Sequence, residues 1–351
     1  MGAIDGMDLG RFGIWTFDFE TMPAAQMRES IQELEALGWP AFWFPELLGR
    51  EALSHAAFLL GCTERIAVVN GIAKIWFRQP AWTQGGALLL ADAFPDRHVL
   101  GLGFGGDDRP GTTPLRAMDE YLDAMEATET INPAPRAPLR RLLAAYGPKM
   151  LALARDRAHG AHTYKVTVEH TAQAREVLGS APFLGVEQAV LFEPDPVRAR
   201  EIAREHLHVY LTGKFNIAKF LRLGYTEADI DGGRGSDRLV DDLVAWRPRH
   251  DRPQAARPPR RRRRPRRHPG RRDRAGRIRD AALAGARRGA RAAARRDLTA
   301  AAAVLERSRR GYPPVWSNGG GTDVRAHPHA AAAGRRCDRC PARPRRVRGR
   351  R

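Results

Sequence analysis

Cysteine is scarce, with three in 351 residues, and only Cys62 falls within the first 246. That excludes a disulfide framework in this part of the chain and fits a reducing cytosol. No apolar run approaches the ~18 residues that a membrane span needs. The N-terminus, MGAIDGMDLGRFGIW, has no basic stretch leading into a long apolar segment, so no secretory signal is expected. Lysine is missing altogether beyond Trp246. From Arg247 to Arg351 there are 34 Arg, no Lys and 7 acidic residues, whereas residues 1–246 hold 25 basic side chains against 33 acidic ones. The formal charge of +19 therefore describes neither half. A mildly acidic body of residues 1–246 carries a strongly basic tail of residues 247–351.

Within the body, apolar runs alternate with segments of helical spacing. Phe12 to Phe17 reads as a strand and Met22 to Leu37 as an amphipathic helix, with Met27, Ile31, Leu34 and Leu37 on one face. Strands are expected at Ala41–Phe44, Ile66–Val69 and Val99–Gly106. Helices are expected at Leu53–Leu60, Trp82–Ala93 and Leu115–Ala127. Later come a strand at Val186–Phe192, a helix from Asp195 to Leu211 and two short helices, Ile217–Leu223 and Leu239–Trp246. Most strands are apolar throughout, which points to a parallel sheet covered by helices. About seven βα units in one series favour a (β/α)8 TIM barrel over an open sheet. No eighth strand is legible after Trp246.

The stretch Leu139 to Val166 is a βαβ unit in miniature. An apolar run at Leu142–Ala145 ends at Tyr146-Gly147-Pro148, helical spacing follows from Met150, and Gly160 stops that helix before a further strand at Ala161–Val166. Pro148 suits a first helical turn. Gly147 allows close backbone approach, and the free N–H groups of the new helix suit a phosphate. An ordinary βα turn has the same spacing.

Three explanations compete for the tail. A basic arm would bind nucleic acid through phosphates, and a solvated disordered tail would need no partner. A slipped reading frame accounts for more. It explains arginine without lysine, the Arg/Ala/Pro/Gly bias of a GC-rich gene read out of frame, and a break where a last strand is due. His327, His329, Cys337 and Cys340 in the tail have no core around them to make a zinc site.

Several segments of the body resemble the luciferase-like monooxygenases, in particular their coenzyme F420-dependent branch. They are FGIWTF, ALGWPAFWFPE, VVNGIAKIWFRQP, PDRHVLGLGFGG, AAYGPKMLALARDRAHGAHTY, VEQAVLFEPDPVRAREIAREHL, FLRLGYTEADI and GSDRLVDDLVAW, in the family's order across residues 10–246. The resemblance implies a TIM barrel, incomplete at its eighth βα unit. It also implies F420 or FMN bound at the C-terminal ends of the strands, and a small organic substrate that exchanges hydride or oxygen there. A homodimer is compatible with it.

Carried over by position, Pro45 and Glu46 approach the ring, with Glu46 as the candidate for proton transfer or substrate orientation. Gly71, Ile72 and Ala73 match a third-strand bulge that often holds a non-prolyl cis peptide. Gly103, Phe104 and Gly105 match the end of the fourth strand. Tyr146, Gly147, Pro148, Lys149 and Met150 match the phosphate loop. Trp15 and Trp76, near strand ends, are candidate pocket walls, while His159, His162 and His170 have spacings that need not converge, so no metal is expected. The chain departs from the family at Asp96-Arg97-His98, where relatives commonly carry Gly-Arg-Phe, and at Gly105-Gly106, where many carry a polar residue.

Overall fold

In the sheet, each strand turns alternate side chains to two different cores, and that alternation builds the architecture. A computed structural model of the chain describes residues 2–47, 49–105 and 109–245. The arginine tail, its His and Cys residues, Gly106 and the reading-frame question all lie outside the described residues. Seven parallel strands run in sequence order: β1 (Ile14–Trp15), β2 (Ala41–Pro45), β3 (Ala67–Lys74), β4 (His98–Gly103), β5 (Arg140–Ala144), β6 (Gly160–Thr163) and β7 (Phe183–Val186). Helices α1 (Ala24–Ala36), α2 (Ala52–Gly61), α3 (Pro80–Ala93), α4 (Pro114–Glu126), α5 (Pro148–Arg157) and α6 (Val168–Leu178) form the crossovers.

Contacts between distant strands show that the sheet curls. In a flat sheet β2 could not reach β6 or β7, yet the Trp43 ring lies 5.1 Å from His162 and 6.2 Å from Phe183. Trp15 of β1 likewise lies 4.9 Å from Tyr164, just past β6. The fold is a half-barrel, an incomplete TIM barrel. Ala41, Trp43, Val69, Val99 and Leu142 form the inner core, and Ile14, Phe42, Phe44 and Val68 face the helix layer. In α1, Met27, Ile31 and Leu34 are 0–1% exposed and pack into that outer layer. Each such burial is worth ~1.5–3 kcal/mol.

At the N-terminal end of the strands a hairpin, Ala3–Ile4 with Met7–Asp8, delivers Ile4, Met7 and Leu9 to the inner core. The buried Arg140 guanidinium holds it by donating to the carbonyls of Ile4 (3.1 Å) and Asp5 (2.8 Å). Arg140 also pairs with Asp96 at 2.8 Å, and Asp96 stands at φ +57°, in the left-handed region. A side chain in that conformation costs ~1–2 kcal/mol, here set against the ion pair with Arg140. Two residues on from Asp96, His98 is buried and its Nε2 donates to Asn70 Oδ1 at 2.9 Å. Desolvation pushes the imidazole down to about 3, so it stays neutral.

Beyond β7 the chain forms a helical unit, α7 (Pro196–Thr212), α8 (Lys214–Arg222), α9 (Glu227–Ile230) and α10 (Asp237–Leu243). The last helix ends at Leu243, three residues before the sequence pattern suggests. Val244–Ala245 is already extended and lies parallel to Ala189–Val190, the segment that follows β7. Among the described residues no eighth strand joins the sheet at β1 or β7. The seventh strand itself sits earlier than expected, at Phe183–Val186, because its ladder to Gly160–Thr163 fixes the register. Helix α6 was not legible as a helix in the sequence. No helix among the described residues is long and apolar enough to cross a membrane.

Candidate functional site

The C-terminal ends of the strands gather most of the polar and aromatic side chains that the inner core lacks. On one side stand aromatic groups: Trp15, edge-to-face on Phe17 at 4.6 Å and tilted on Tyr164 at 4.9 Å, with Tyr164 in turn 5.6 Å from Tyr210 of α7. Facing them are small residues. A Cβ on Gly71 would lie 2.8 Å from Trp15 Nε1 and 3.4 Å from His162 Nε2. A Cβ on Gly103 would lie 2.4 Å from the Ile72 side chain, and one on Gly101 only 1.8 Å from the Asn70 carbonyl oxygen. Glycine at these positions is demanded by close approach. The Trp15 indole N–H is buried and finds no hydrogen-bond partner among the described residues, as is also true of the Trp39 and Trp76 N–H groups.

The third-strand bulge is present. The register between β3 and its neighbours shifts at Phe44/Pro45 and between Val69 and Ala73, which spans Gly71, Ile72 and Ala73. No cis peptide occurs among the described residues, so the bulge is made with trans bonds throughout. The backbone here is already held from outside by Glu46.

Glu46 is 1% exposed and is directed at the helix layer. Its Oε1 accepts from the Ala52 N–H that opens α2 (3.0 Å) and from the Arg78 guanidinium, while Oε2 accepts from the Lys74 N–H (2.7 Å). Its own N–H donates to the Ile72 carbonyl at 2.9 Å. Glu46 thus ties the end of β2, the bulge of β3 and the start of α2 to one point. Arg78 also meets Glu51 at 3.0 Å, and Glu51 in turn caps α2 through the N–H groups of Leu53 and Ser54.

Close to this knot lies Glu20, which the sequence pattern did not single out. Burial pushes its carboxyl up to about 7, the Glu46 charge adds to the rise, and the Gly49 and Arg50 N–H groups and the Arg50 charge oppose it. An acid raised in the fold gives full stability below its unfolded value of ~4.3, lost as pH climbs through 7. Glu20→Gln is therefore expected to raise stability at pH 8 by about 1–2 kcal/mol, allowing for partial solvation, and to leave it unchanged at pH 4. Urea unfolding at the two pH values checks this; equal shifts at both would sink it.

At the fifth strand, Gly147 is the extended residue before α5 and Pro148 occupies its first turn. Pro148 and Lys149 are exposed, and Tyr146, Gly147 and Met150 are half-buried. The Tyr146 carbonyl accepts from His170 Nε2 at 2.8 Å. Phe104 meets Trp76 edge-to-face at 5.1 Å, and the Arg109 guanidinium lies 4.9 Å above Trp76. Gly105 stands at φ +84° against the Lys74 side chain. The structure thus brings Trp15 to Gly71 and Ile72 to Gly103, and packs Trp76 with the outer cluster around Phe104.

The three histidines have separate partners. His159 Nδ1 accepts from the Arg141 N–H (3.2 Å), His162 pairs with the Gly185 carbonyl (3.2 Å), and His170 serves Tyr146. Burial holds His162 down to about 4, a neutral ring inside the barrel.

Sequence reading missed the charged residues above the aromatic wall. Lys165 stands at φ +51°, a conformation unusual for a side chain. It is held by Glu187, whose Oε1 accepts from Nζ at 2.6 Å and whose Oε2 accepts from the Lys165 N–H at 3.2 Å. Lys219 of α8 reaches in from the helical unit, with Nζ donating to the Tyr164 carbonyl at 3.2 Å. The Tyr164 and Tyr210 hydroxyls are hydrogen-bonded to each other. Burial pushes both phenols up. The one signal for Lys219 in the sequence was a lysine set between Ile217 and Phe220 on a short helix.

The luciferase-like monooxygenase family matches residues 7–308. The chain belongs to the luciferase-like monooxygenases. Among solved structures, this family member is similar to an F420-dependent secondary alcohol dehydrogenase in complex with an F420–acetone adduct. That match is 12% identical and covers 68% of this chain and 86% of that one, with a TM-score of 0.52. A riboflavin lyase bound to modified FMN and riboflavin is also similar, at 11% identity, 67% and 86% coverage and a TM-score of 0.50. At such identities the likeness is one of fold. No curated protein matches this luciferase-like chain.

Proposed function

We propose that this protein is an oxidoreductase that binds F420 or FMN at the C-terminal mouth of its half-barrel and acts on a small organic substrate. Family membership supports the reaction class, and the unpartnered, buried Trp15 N–H is the observation that carries the placement. A donor with no acceptor, set in an aromatic wall against Gly71, fits a planar heteroaromatic ring with carbonyl or ring-nitrogen acceptors. When bound, such a ring supplies hydride transfer, and with FMN oxygen chemistry as well.

The protein's own groups do the rest. Trp15 and the Gly71–Ala73 bulge would hold the ring, and Gly103, Phe104 and Gly105 border it. Tyr146, Gly147, Pro148, Lys149 and Met150 form the turn for its phosphate, where free N–H groups at the start of α5 meet an anion. Glu46 orients these parts by fixing the bulge, as a positioning residue. The F420-binding and FMN-binding neighbours of this fold leave both cofactors in play; F420 is the first choice, on the branch that the sequence segments resemble. Neither the family nor the neighbours support a nucleic-acid-binding role for the tail.

Titration of the full chain with F420 and with FMN, followed by cofactor fluorescence, tests the proposal. Saturable binding of one of them is expected, weakened about tenfold in Trp15→Phe, the size of one lost hydrogen bond of ~1.4 kcal/mol. Absence of binding by both cofactors overturns the reading.

A further inference from the structure

Charge bookkeeping at the barrel mouth leaves one cation over. The Lys219 side chain comes from α8, outside the barrel, and the residue is 3% exposed. Its ammonium has three donors, and the Tyr164 carbonyl takes one of them. The Tyr146 and Phe220 rings lie 4.6 and 4.5 Å away. They give partial compensation, of ~0.5–2 kcal/mol each. The nearby carboxylate is Glu187, and both of its oxygens are engaged by Lys165. The remaining titratable neighbours are Tyr164, Tyr210, His170, with its ring on the Tyr146 carbonyl, and Arg222 on the same helix. None of these supplies negative charge at neutral pH. Buried ammonium groups are otherwise found paired.

We propose that the mouth takes a carboxylate-bearing substrate, and that Lys219 is the residue that meets the carboxylate. The proposal rests on the oxidoreductase reading of the same mouth. One unpaired ammonium matches one negative charge, so a monoanion leaves the enclosure neutral, whereas a phosphate dianion leaves it negative. The surrounding rings of Tyr146, Tyr164 and Phe220 suit an acid with an apolar body. Burial and the nearby Lys165 push the Lys219 amine down to about 7, the behaviour of an ammonium that lacks its counter-charge.

The probes are benzoate, its neutral isostere benzamide and inorganic phosphate, titrated calorimetrically into the full chain without cofactor. Benzoate is expected to bind the unmodified protein, to bind Lys219→Met about 10- to 100-fold more weakly, and to bind Lys219→Arg within a few fold of the original. Benzamide is expected not to bind. Should Lys219→Met fail to fold, as seen by a lost thermal transition, Lys219→Gln carries the same expectation.

Benzoate binding that is absent, or that survives the loss of the Lys219 charge, overturns the proposal. So does benzamide binding as tightly as benzoate, or phosphate displacing it. Separate F420 and FMN titrations tell the two readings apart. Lysine-dependent benzoate binding without cofactor binding sinks the oxidoreductase reading alone. Cofactor binding with lysine-independent benzoate binding sinks this one alone.

Discussion

Replacing Glu46 with alanine is expected to cost about 3–5 kcal/mol of folding stability. The Arg78 side chain is 8% exposed, and removal of Glu46 leaves this buried guanidinium with only the half-exposed Glu51 carboxylate at 3.0 Å. Two backbone donors, Ala52 N–H and Lys74 N–H, lose their acceptor in the same step. Glu46→Gln keeps the shape and one oxygen, and is expected to lose about half as much, since neutral hydrogen bonds carry roughly half the strength of charge-assisted ones. Urea midpoints with unchanged m-values measure both effects. A loss below about 1 kcal/mol for the alanine variant, the range of exposed ion pairs, would mean that the knot does not hold β2, β3 and α2 together. Loss of activity at full stability would instead place Glu46 at the reacting centre.

The second large effect is a pH dependence. Lys219 is pushed down to about 7 in the fold, against ~10.4 in the unfolded chain. Between these values the unfolded state holds a proton that the folded state does not. Stability must therefore rise with pH, by about 1.4 kcal/mol per unit for one such group. Above the unfolded value the penalty is gone, and below 7 it is fully present and constant. Lys165, also lowered by burial, acts in the same sense. The raised phenols of Tyr146, Tyr164 and Tyr210 act in the opposite sense, but only above about 10. The clean window is pH 7.5 to 9.5. Unfolding free energy is expected to climb across it in the unmodified protein and to flatten in Lys219→Met. A slope that the substitution leaves unchanged removes Lys219 from the account.

The barrel was legible in the sequence wherever a strand is buried on both faces. Ala41–Pro45 and residues 99–103 are apolar without a break because they sit between the inner core and the helix layer. The seventh strand was misplaced by three residues. Val186–Phe192 has the stronger β composition, but the pairing that forms uses Gly185, where a Cβ would lie 3.0 Å from Trp43. Composition cannot report that distance.

The same limit applies to the site. Glycines at strand ends and the Tyr146–Met150 turn were visible because backbone demands leave marks on residue type. Lys165, Glu187 and Lys219 were not visible. Each looks like an ordinary solvated charge until three separate segments converge above Tyr164, and convergence of that kind is absent from any single stretch of chain.

Asp96 and Arg140 show what such couplings mean for sequence change. The left-handed backbone at Asp96 is costly for any side chain, and its compensation sits 44 positions away, on an arginine that also secures the N-terminal hairpin. Neither substitution is neutral alone in the background of the other. Asparagine or glycine at position 96 frees Arg140 of its only carboxylate among the described residues. Changing Arg140 leaves Asp96 with its backbone cost uncompensated. The cost of one residue's backbone is thus tied to a side chain on another strand, so a substitution at either position is felt at both.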